Sequence, residues 1–396
     1  MCKNGMRFQK YTVFMKYRQR TLEKKLKEYI DFFSVVAITG PRQSGKSTLI
    51  QHLLSGYTYV TFDSKINVDL FYNDPEKFMR IHSDKVIFDE VQKVPEIFDY
   101  IKLAVDRDRQ SAGKFILTGS SQLSFSQEIA ESLAGRIGLL TLLPYAYEEM
   151  PQKHRLASLY CGAYPELVDK DFRLLDDWYA SYIETYIEKD LRNLANVGNL
   201  RDFQKLIQLL AANTAQVLNF TNFANHIGVD VKTIKRWISI LEASYIIHLL
   251  PPYYNNLGKR VIKSPKVYFY DLGLVTHLCG VSNQEIYEKG PMYGAMFENY
   301  IVNECMKREV HNKTHCKLYY FRTNHGLEVD LIIDRKQYKE SLEIKTSETF
   351  HPKMVKALES IREKQDKSYL IYRGKDLPYT EDVKVLNFAT YLKSSE

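Results

Sequence analysis

One run of residues has the types and spacing needed to hold a phosphate chain. Residues 40–47 read Gly-Pro-Arg-Gln-Ser-Gly-Lys-Ser, directly after the apolar run 34–39 and before an amphipathic stretch at 48–54. In this setting, glycines let backbone N–H groups close around a phosphate, and the N-terminus of the next helix adds its positive dipole end. Lys46 would place an ammonium group beside the terminal phosphates, and the Ser47 hydroxyl would complete the shell of a Mg²⁺ ion. The sequence therefore predicts a site for ATP and Mg²⁺. The candidate nucleotide-binding residues in this loop are Gly40, Pro41, Arg42, Gln43, Ser44, Gly45, Lys46, Ser47 and Thr48.

A pair of acidic residues follows another apolar run further along the chain. Residues 86–88 are Val-Ile-Phe, and Asp89 and Glu90 come directly after them. Asp89 is suited to hold, with Ser47, the Mg²⁺ of the bound nucleotide. Glu90 is suited to be the general base that polarises an attacking water. Acids also end strands for solubility, but the upstream phosphate loop favours the functional interpretation, and an adjacent Glu favours hydrolysis over transfer to a metabolite.

Two further polar residues are candidates for contact with the nucleotide. Ser120 follows the apolar run 115–117 and is a candidate sensor of the γ-phosphate through its hydroxyl, although the segment 118–121 is equally typical of a simple turn. Arg136 ends a predicted helix at 127–136. It is a candidate arginine finger, either within the chain or from a neighbouring subunit, or it is a helix-terminal Arg that offsets the helix dipole.

The C-terminal quarter holds a second set of candidate catalytic residues. Glu298 lies in a predicted helix at 293–308, Asp330 in a strand at 327–333, and Glu343 and Lys345 in a strand at 342–345. Alternation along a strand places Glu343 and Lys345 on the same face. Asp330 and Glu343 are candidate ligands for one or two Mg²⁺ ions, Lys345 would orient the attacking water, and Glu298 would complete the shell. With a helix at 351–363 and a strand at 368–372, the order αβββαβ resembles the PD-(D/E)XK nuclease core.

The elements that position the first site alternate between strands and helices. Strands are predicted at 57–62, 85–88, 114–117 and 137–143, and helices at 74–81, 95–107 and 127–136. This alternation predicts an α/β fold with a parallel sheet covered by helices on both faces. In such sheets, ligands bind at the carboxyl ends of the strands, which is where the phosphate loop and Asp89 fall.

The middle of the chain has the pattern of a helix-turn-helix. Helical stretches at 178–194 and 202–210 are predicted to pack between domains, and two short helices at 220–227 and 230–238 follow, separated by Gly228. The stretches 245–250 and 266–270, with a turn at 255–258, would form the wing of a winged helix. Lys232, Lys235 and Arg236 lie on the would-be recognition helix and are suited to DNA contact, although winged helices also serve as packing modules.

Composition limits the remaining possibilities. A chain of 396 residues implies two or three domains. The net charge of +7 is concentrated in residues 1–29, where nine Lys and Arg face only Glu23 and Glu28. This segment is either a basic arm that binds phosphate backbones or a solvated amphipathic helix. No apolar run is long enough to span a membrane, and no secretory signal follows the N-terminus.

The cysteines predict neither disulfides nor a zinc site. There are five cysteines, an odd number, and they are scattered along the chain without a C-x-x-C pair, which is typical of free thiols in a reducing cytoplasm. Cys305, His311, His315 and Cys316 fit no standard set of zinc ligands.

Taken together, the motifs at 40–47, 87–96, 116–122, 132–136 and 142–145 resemble a large bacterial and archaeal family of AAA-like ATPases with a C-terminal restriction-endonuclease-like domain. The resemblance extends over nearly the whole chain from about residue 30 and includes Tyr164-Pro-Glu and residues 186–190. It implies an additional-strand P-loop fold that hydrolyses ATP, and it agrees with a winged helix in the middle segment. The implied organisation is a basic segment at 1–29, an ATPase domain at 30–150, a helical linker and winged helix at 151–290, and a PD-(D/E)XK nuclease-like domain at 291–396.

Two functional hypotheses follow from the sequence. The first is a cytoplasmic, ATP-hydrolysing, AAA-like protein whose nuclease-like domain acts on DNA. Assembly into a homo-oligomer is compatible with this hypothesis. The second is a nucleotide-dependent switch that binds a protein partner through a winged helix, with a catalytically silent C-terminal domain. A P-loop small-molecule kinase is disfavoured, because Glu90 and the appended domains have no purpose there.

Overall fold

The computed structural model describes residues 17–108, 110–119, 133–186, 199–253, 264–281, 283–323, 326–378 and 382–394. Its α-helices are α1 (Glu23–Ile30), α2 (Lys46–Leu53), α3 (Lys65–Asn73), α4 (Pro75–Ile81), α5 (Ile97–Arg107), α6 (Ser158–Cys161), α7 (Pro165–Asp169), α8 (Leu175–Tyr182), α9 (Leu200–Ala212), α10 (Phe220–Ile227), α11 (Val231–Ala243), α12 (Leu272–Leu278), α13 (Gln284–Lys289), α14 (Tyr293–Asn312), α15 (Lys356–Ile361) and α16 (Phe388–Lys393). Its strands are β1 (Val35–Thr39), β2 (Thr58–Thr61), β3 (Val86–Asp89), β4 (Phe115–Thr118), β5 (Ile137–Thr141), β6 (Ile247–Leu250), β7 (Lys266–Phe269), β8 (Lys317–Arg322), β9 (Glu328–Asp334), β10 (Lys339–Ile344), β11 (Lys367–Tyr372) and β12 (Val383–Asn387).

The N-terminal sheet is parallel and has the order β2-β3-β4-β1-β5. Alternate residues of its strands face opposite sides, so Val35 packs toward α4 and α5 while Val36 packs toward α1 and α2. Burial on both faces explains why these strands read as continuous apolar runs in the sequence. The predicted parallel sheet with helices on both faces is confirmed. β4 lies between β1 and β3, which is the additional strand that the family resemblance implied.

Residues 17–30 pack against this first unit. Leu22 and Leu26 are fully buried in the same cluster as Leu49 and Ile50 of α2. The predicted boundary at 29/30 falls within α1, one residue before its end. Residues 23–30 form an amphipathic helix whose lysines at 24 and 27 are exposed, which agrees with the second interpretation for this part of the segment. Residues 1–16 lie outside the described part of the chain.

In the middle segment, α9, α10 and α11 are followed by a two-stranded antiparallel sheet. Asn219 accepts a hydrogen bond from the backbone N–H of Asn222 at the start of α10, and Asp230 accepts one from Thr233 at the start of α11. Gly228 ends α10 with φ of 85°, a conformation that glycine adopts without strain. The sequence predicted the break at Gly228, and α10 and α11 lie on either side of it. β6 pairs with β7, and the predicted turn at 255–258 lies outside the described residues.

The C-terminal sheet has the order β12-β11-β10-β9-β8. β8, β9 and β10 are antiparallel, and β10, β11 and β12 are parallel. The predicted order of elements is present, and β12 and α16 follow it as additions that the sequence did not predict. The middle segment and this domain share one hydrophobic cluster, which includes Trp237 of α11, Phe297 of α14 and Leu342 of β10. The predicted boundary at 290/291 therefore separates two parts that pack around a continuous core.

The long helix α14 also joins the C-terminal domain to the ATPase unit. Its residues Glu304 and His311 accept hydrogen bonds from the backbone N–H groups of Tyr147 (2.6 Å) and Leu143 (3.1 Å). Lys307 donates to the carbonyl oxygen of Tyr145 at 2.8 Å and pairs with Glu304 at 2.7 Å. All three α14 side chains are buried, so this junction is polar but closed to solvent. Among the described residues, no helix is long and apolar enough to cross a membrane.

We expect the junction to weaken in mild acid because of His311. Burial first, and then the nearby charges of Arg20 and Lys307, lower the pKa of His311 to about 4, against the opposing charge of Glu149. Since the unfolded chain binds this proton more readily, the stabilisation is present above pH ~6.5 and is lost as pH falls toward 4, by up to about 3 kcal/mol. Urea unfolding at pH 7.0 and 4.5 should therefore show a smaller pH effect in His311→Gln than in the native chain. His226→Gln, at an exposed position on α10, is the matched control. Equal pH effects in all three proteins would contradict this prediction.

Candidate functional site

The phosphate loop lies between β1 and α2 and needs glycine at two positions. Gly45 precedes α2 with φ of 94°, in the left-handed region. Gly40 has φ of 139°, and a Cβ at this position would lie 2.1 Å from the carbonyl oxygen of Leu142. Any other residue at position 40 would therefore push the loop away from the segment that follows β5. Both glycines of the sequence motif have a physical reason in the fold.

Lys46 is folded back onto its own loop. Its ammonium group donates hydrogen bonds to the carbonyl oxygens of Gly40 (3.0 Å) and Pro41 (2.8 Å). Burial lowers the pKa of Lys46 to about 8, while the negative charges of Glu90 and Asp89 oppose that shift. A phosphate oxygen is a stronger partner for an ammonium group than a neutral carbonyl. The lysine is thus placed to exchange two loop contacts for a phosphate.

Asp89 meets Ser47 at the carboxyl edge of the sheet. The Ser47 hydroxyl lies 3.3 Å and 3.5 Å from the two carboxylate oxygens of Asp89. The hydroxyls of Tyr59 and Thr118 donate to the same carboxylate. A buried carboxylate beside a hydroxyl at the start of α2 has the oxygen ligands that Mg²⁺ prefers, so the predicted pair fits this ion.

Tyr59 and Thr118 are site residues that sequence reasoning missed. Thr118 ends β4 and accepts a hydrogen bond from the Glu90 N–H at 3.4 Å, two positions before the predicted sensor. Ser120 itself lies outside the described residues. The strand-end position of Thr118 was a usable signal, since it follows the apolar run at 115–117. Tyr59 carries no local signal, because only the pairing of β2 with β3 brings it to Asp89.

Glu90 lies at the edge of an open cavity beside the loop. Its backbone has φ of 57°, a left-handed conformation that is uncommon for a non-glycine residue. Its carboxylate accepts a hydrogen bond from the side-chain amide of Gln92. This backbone geometry directs Glu90 out of the line of β3, while Asp89 stays buried at the strand end.

The cavity has a volume of about 740 Å³, and its far wall comes from the middle segment. Arg42, Gln43, residues 45–48 and Glu90 line one side, and Pro165, Glu166, Tyr182 and Tyr186 line the other. The guanidinium of Arg42 lies 5.2 Å from the centre of the Tyr186 ring, across the cavity. Sequence reasoning assigned the helical stretch at 178–194 to packing alone, and in that respect it missed part of the site.

The middle segment also contacts the strand that enters the loop. Tyr245, just after α11, makes a hydrogen bond of 2.8 Å between its hydroxyl and that of Thr39, the last residue of β1. The backbone of Tyr245 has φ of 57°, so it leaves the helix in a left-handed turn. The side chain of Arg20 donates to the carbonyl oxygen of Ser44 at 2.9 Å. The loop is therefore braced from both the N-terminal and the middle segments.

Arg136 lies at the wrong end of the sheet for a finger in its own chain. It precedes β5, whose first residue pairs with Val35 at the amino end of β1, whereas the phosphate loop follows the carboxyl end of β1. Its guanidinium instead pairs with Asp106 of α5 at 2.9 Å. This position argues against the alternative in which Arg136 contacts the nucleotide of its own chain. A role toward a neighbouring subunit stays a prediction, and the helix predicted to precede Arg136 falls mostly outside the described residues.

The second set of candidate residues converges where α14, β9 and β10 meet, and we call it the carboxylate centre (Glu298, Asp330, Glu343, Lys345). Lys345 pairs with Glu343 and lies 3.6 Å from Asp330. Asp330 also accepts a hydrogen bond from the backbone N–H of Ile344 at 2.8 Å. The predicted partners Asp330, Glu343 and Lys345 are thus brought together on the sheet.

Burial and mutual repulsion control the charge of this centre. Burial, and then the negative charge of Asp330, raise the pKa of Glu343 to about 8, while Lys345 opposes the shift. The same two causes raise the pKa of Glu298 to about 7, against the charge of Lys266. One carboxylate oxygen of Glu343 is buried and has no hydrogen-bond partner among the described residues. A cation beside Asp330 and Glu343 would satisfy that oxygen and relieve the repulsion.

Only part of the predicted metal shell is assembled. Within the described ranges, no group of three or more His, Cys, Asp or Glu side chains is placed to hold a metal ion. Mg²⁺ is commonly bound through one or two carboxylates with several waters retained, so Asp330 and Glu343 fit it as a pair. Glu298 points elsewhere, toward Lys266 (2.9 Å) and Tyr268 (2.7 Å) of β7. No feature of the sequence linked Lys266 and Tyr268 to the carboxylate centre.

The Cys and His residues near α14 have separate surroundings. Cys305 is buried beside the Tyr391 hydroxyl, Cys316 lies 3.3 Å from the Arg335 guanidinium, and His311 is at the junction with the ATPase unit.

Three family models match consecutive parts of the chain. One described as an AAA domain matches residues 33–151. Two described as domains of unknown function match residues 153–285 (DUF8612) and 293–391 (DUF4143).

Relatives are found in bacteria and archaea. An uncharacterized protein of Mycobacterium tuberculosis is 28% identical over 338 residues, which span 85% of this chain and 75% of that protein. An uncharacterized protein of Methanocaldococcus jannaschii is 22% identical over 366 residues, 82% of this chain and 78% of that protein.

Solved structures with some likeness include a Walker-type ATPase of Pyrococcus abyssi, at 15% identity and a TM-score of 0.45, covering 65% of this chain and 94% of that one. The RuvB Holliday junction branch migration motor of Thermotoga maritima reaches 14% identity and a TM-score of 0.30, covering 59% and 90%. The match at residues 33–151, the additional-strand sheet and the loop geometry together identify the N-terminal unit as an AAA-type, P-loop ATPase-like domain.

Proposed function

We propose that this chain binds Mg²⁺-ATP at the phosphate loop and hydrolyses it, and that its C-terminal domain is a nuclease-like module acting on DNA. The observation that carries the first part is the meeting of Ser47 and Asp89, at 3.3 Å, beside a buried Lys46. A turn that merely joined a strand to a helix would not need a buried lysine and a buried aspartate at the same point, because each charge is costly to remove from water.

In this proposal each residue of the ATP site has a separate task. Backbone N–H groups of the loop and Lys46 hold the phosphates, and Ser47 and Asp89 hold the ion. The Mg²⁺ ion supplies charge neutralisation between the phosphates. Glu90 orients the attacking water, and the hydroxyls at the end of β4 sense the terminal phosphate, with Ser120 as the candidate named from the sequence. Arg136 would act only on the site of a second copy, which makes a homo-oligomer part of this proposal.

Two substitutions separate nucleotide binding from hydrolysis. Lys46→Ala removes the cation that contacts the phosphates, and we expect nucleotide affinity to fall at least 100-fold by calorimetry with Mg²⁺. Glu90→Gln keeps the shape of the side chain and removes the base, so kcat should fall about 10²- to 10⁴-fold while binding stays within a few-fold of native. Lys77→Ala, at an exposed position on α4, is the control for a lost lysine. Native-like binding and turnover in Lys46→Ala would overturn the proposal.

The DNA part of the proposal concerns the exposed face of α11. Lys232, Lys235 and Arg236 are exposed on this helix, while Ile234 and Trp237 anchor its other face in the core. In this proposal α9, α10 and α11 act with β6 and β7 as a winged helix, and α11 would enter the major groove. The exposure of its three basic side chains supports this role.

Binding to DNA should therefore depend on salt and on this helix face. We expect a duplex shift whose affinity falls steeply between 50 and 200 mM salt, since cations released from the DNA drive the binding. Lys232→Ala with Arg236→Ala should weaken binding at low salt and reduce the slope of log affinity against log salt by about 2, one for each lost phosphate contact. Lys77→Ala with Arg80→Ala, exposed on α4, is the matched control. If no duplex shift occurs at any salt, the rival proposal of a nucleotide-dependent switch with a protein partner gains the support.

The nuclease part of the proposal places Asp330 and Glu343 as ligands of a divalent ion and Lys345 beside the attacking water. The ion supplies charge neutralisation at the scissile phosphate. The partnerless oxygen of Glu343 and the contacts of Lys345 support this assignment.

Cutting of plasmid DNA tests the carboxylate centre. With Mg²⁺ or Mn²⁺ we expect nicking by the native chain and a loss of at least 100-fold in Glu343→Ala, because the metal loses a ligand. Glu348→Ala, an exposed carboxylate five residues later, is the control. Equal nicking by Glu343→Ala and the native chain would assign the cutting to something else, and the switch hypothesis would then apply to this domain.

A further inference from the structure

A lysine of the middle segment lies inside the carboxylate centre. The ammonium of Lys266, at the start of β7, is 2.9 Å from Glu298 and 2.7 Å from Glu328. Only 4% of its side chain is exposed, and the Tyr320 ring lies 5.6 Å from its nitrogen. The Tyr268 hydroxyl donates to the same oxygen of Glu298 that Lys266 contacts. Glu298 therefore has its partners already, and they come from the hairpin rather than from its own domain.

The position of this ammonium resembles that of a second cation in a two-cation site. Glu298 and Glu328 face Lys266, while Asp330 and Glu343 face Lys345. When a bound cation keeps all four carboxyl groups ionised, the two ammonium groups leave an excess of two negative charges, which equals the charge of one divalent ion. Arg322 approaches Glu328 only at the rim, 3.7 Å away and half exposed.

We propose that Lys266 is a fixed cation that takes the place of a second metal ion, so that the centre binds a single divalent ion on Asp330 and Glu343. This inference rests on the proposed metal-dependent function of the carboxylate centre. It changes the predicted role of Glu298 from a metal ligand to the anchor of a hairpin lysine. It also makes the centre incomplete without the middle segment, since β7 supplies Lys266 and Tyr268.

The alternative is that the Lys266 contacts serve packing alone. In that case the number of bound ions would not respond to Lys266. In our proposal, removing the ammonium frees Glu298 and Glu328 for a second ion at the 3.5–4 Å separation typical of two-metal sites. Metal stoichiometry therefore distinguishes the two interpretations, independently of any cutting of DNA.

The test is a Mn²⁺ titration of the full chain without nucleotide, followed by electron paramagnetic resonance and calorimetry. Glu343→Ala serves as the blank for ions bound elsewhere, including at Ser47 and Asp89. We expect the native chain to bind one Mn²⁺ more than this blank, with a spectrum of isolated ions. Lys266→Met should bind a further Mn²⁺ with a spin-coupled spectrum, and the double variant Lys266→Met/Glu298→Gln should return to one. Lys266→Arg, which keeps the charge, should behave as the native chain.

Two results would overturn the inference. One is a native centre that already binds two coupled ions; this outcome decides the question even if Lys266→Met does not fold. The other is a folded Lys266→Met protein, checked by circular dichroism, that binds the same single ion as the native chain. If the native chain binds no more Mn²⁺ than Glu343→Ala, the proposed metal centre itself fails and the inference fails with it. That outcome is distinct from two ions, which would leave the metal centre standing.

Discussion

A buried arginine near the amino end supports the contacts that define the ATP site. Arg20 donates to the carbonyl oxygens of Ser44 and Leu143 and forms an ion pair with Glu149, and only 2% of its side chain is exposed. Burial alone would raise the pKa of Glu149, but Arg20, His311 and two backbone N–H donors outweigh it and lower the pKa to about 2. Removing one partner would leave the other as an uncompensated buried charge, which typically costs about 3–5 kcal/mol. Arg20 thus ties the phosphate loop, at Ser44, to the segment that follows β5, at Leu143.

The same network reaches the second centre through one helix. Leu143 is held by Arg20 through its carbonyl oxygen and by His311 of α14 through its N–H. Asn299, about three turns toward the start of α14, exchanges two hydrogen bonds with the backbone of Phe269 in β7, and Glu298 lies beside it. A helix of 20 residues is about 30 Å long. One rigid element thus touches the surroundings of both sites, and each half of the chain fixes part of the other.

The features that local sequence predicted are those whose cause is local. The phosphate loop, the strand end at Asp89, the helix break at Gly228, and the alternation that pairs Glu343 with Lys345 all depend on short spacing. Residues that join a site across the fold gave no such signal: Arg20 is 24 positions from Ser44, and Lys266 is 32 from Glu298. Tyr59 and Tyr186 belong to the same class, since only strand order and helix docking bring them to the nucleotide cavity. Arg136 is a different case, because it directly precedes a strand of a parallel sheet and so lies at the amino edge, opposite the phosphate loop at the carboxyl edge.

The bond between Thr39 and Tyr245 has a consequence for how the chain could transmit force. It joins the residue just before the phosphate loop to the residue just after the helix that presents Lys232 and Arg236. A tilt of that helix would move Tyr245 and Thr39, and with them the next residue, Gly40. Gly40 has little room to shift, because the Leu142 carbonyl lies against it. A displacement of α11 would therefore change the position of the loop backbone that contacts the phosphates, and a displacement of the loop would act on α11 in the same way.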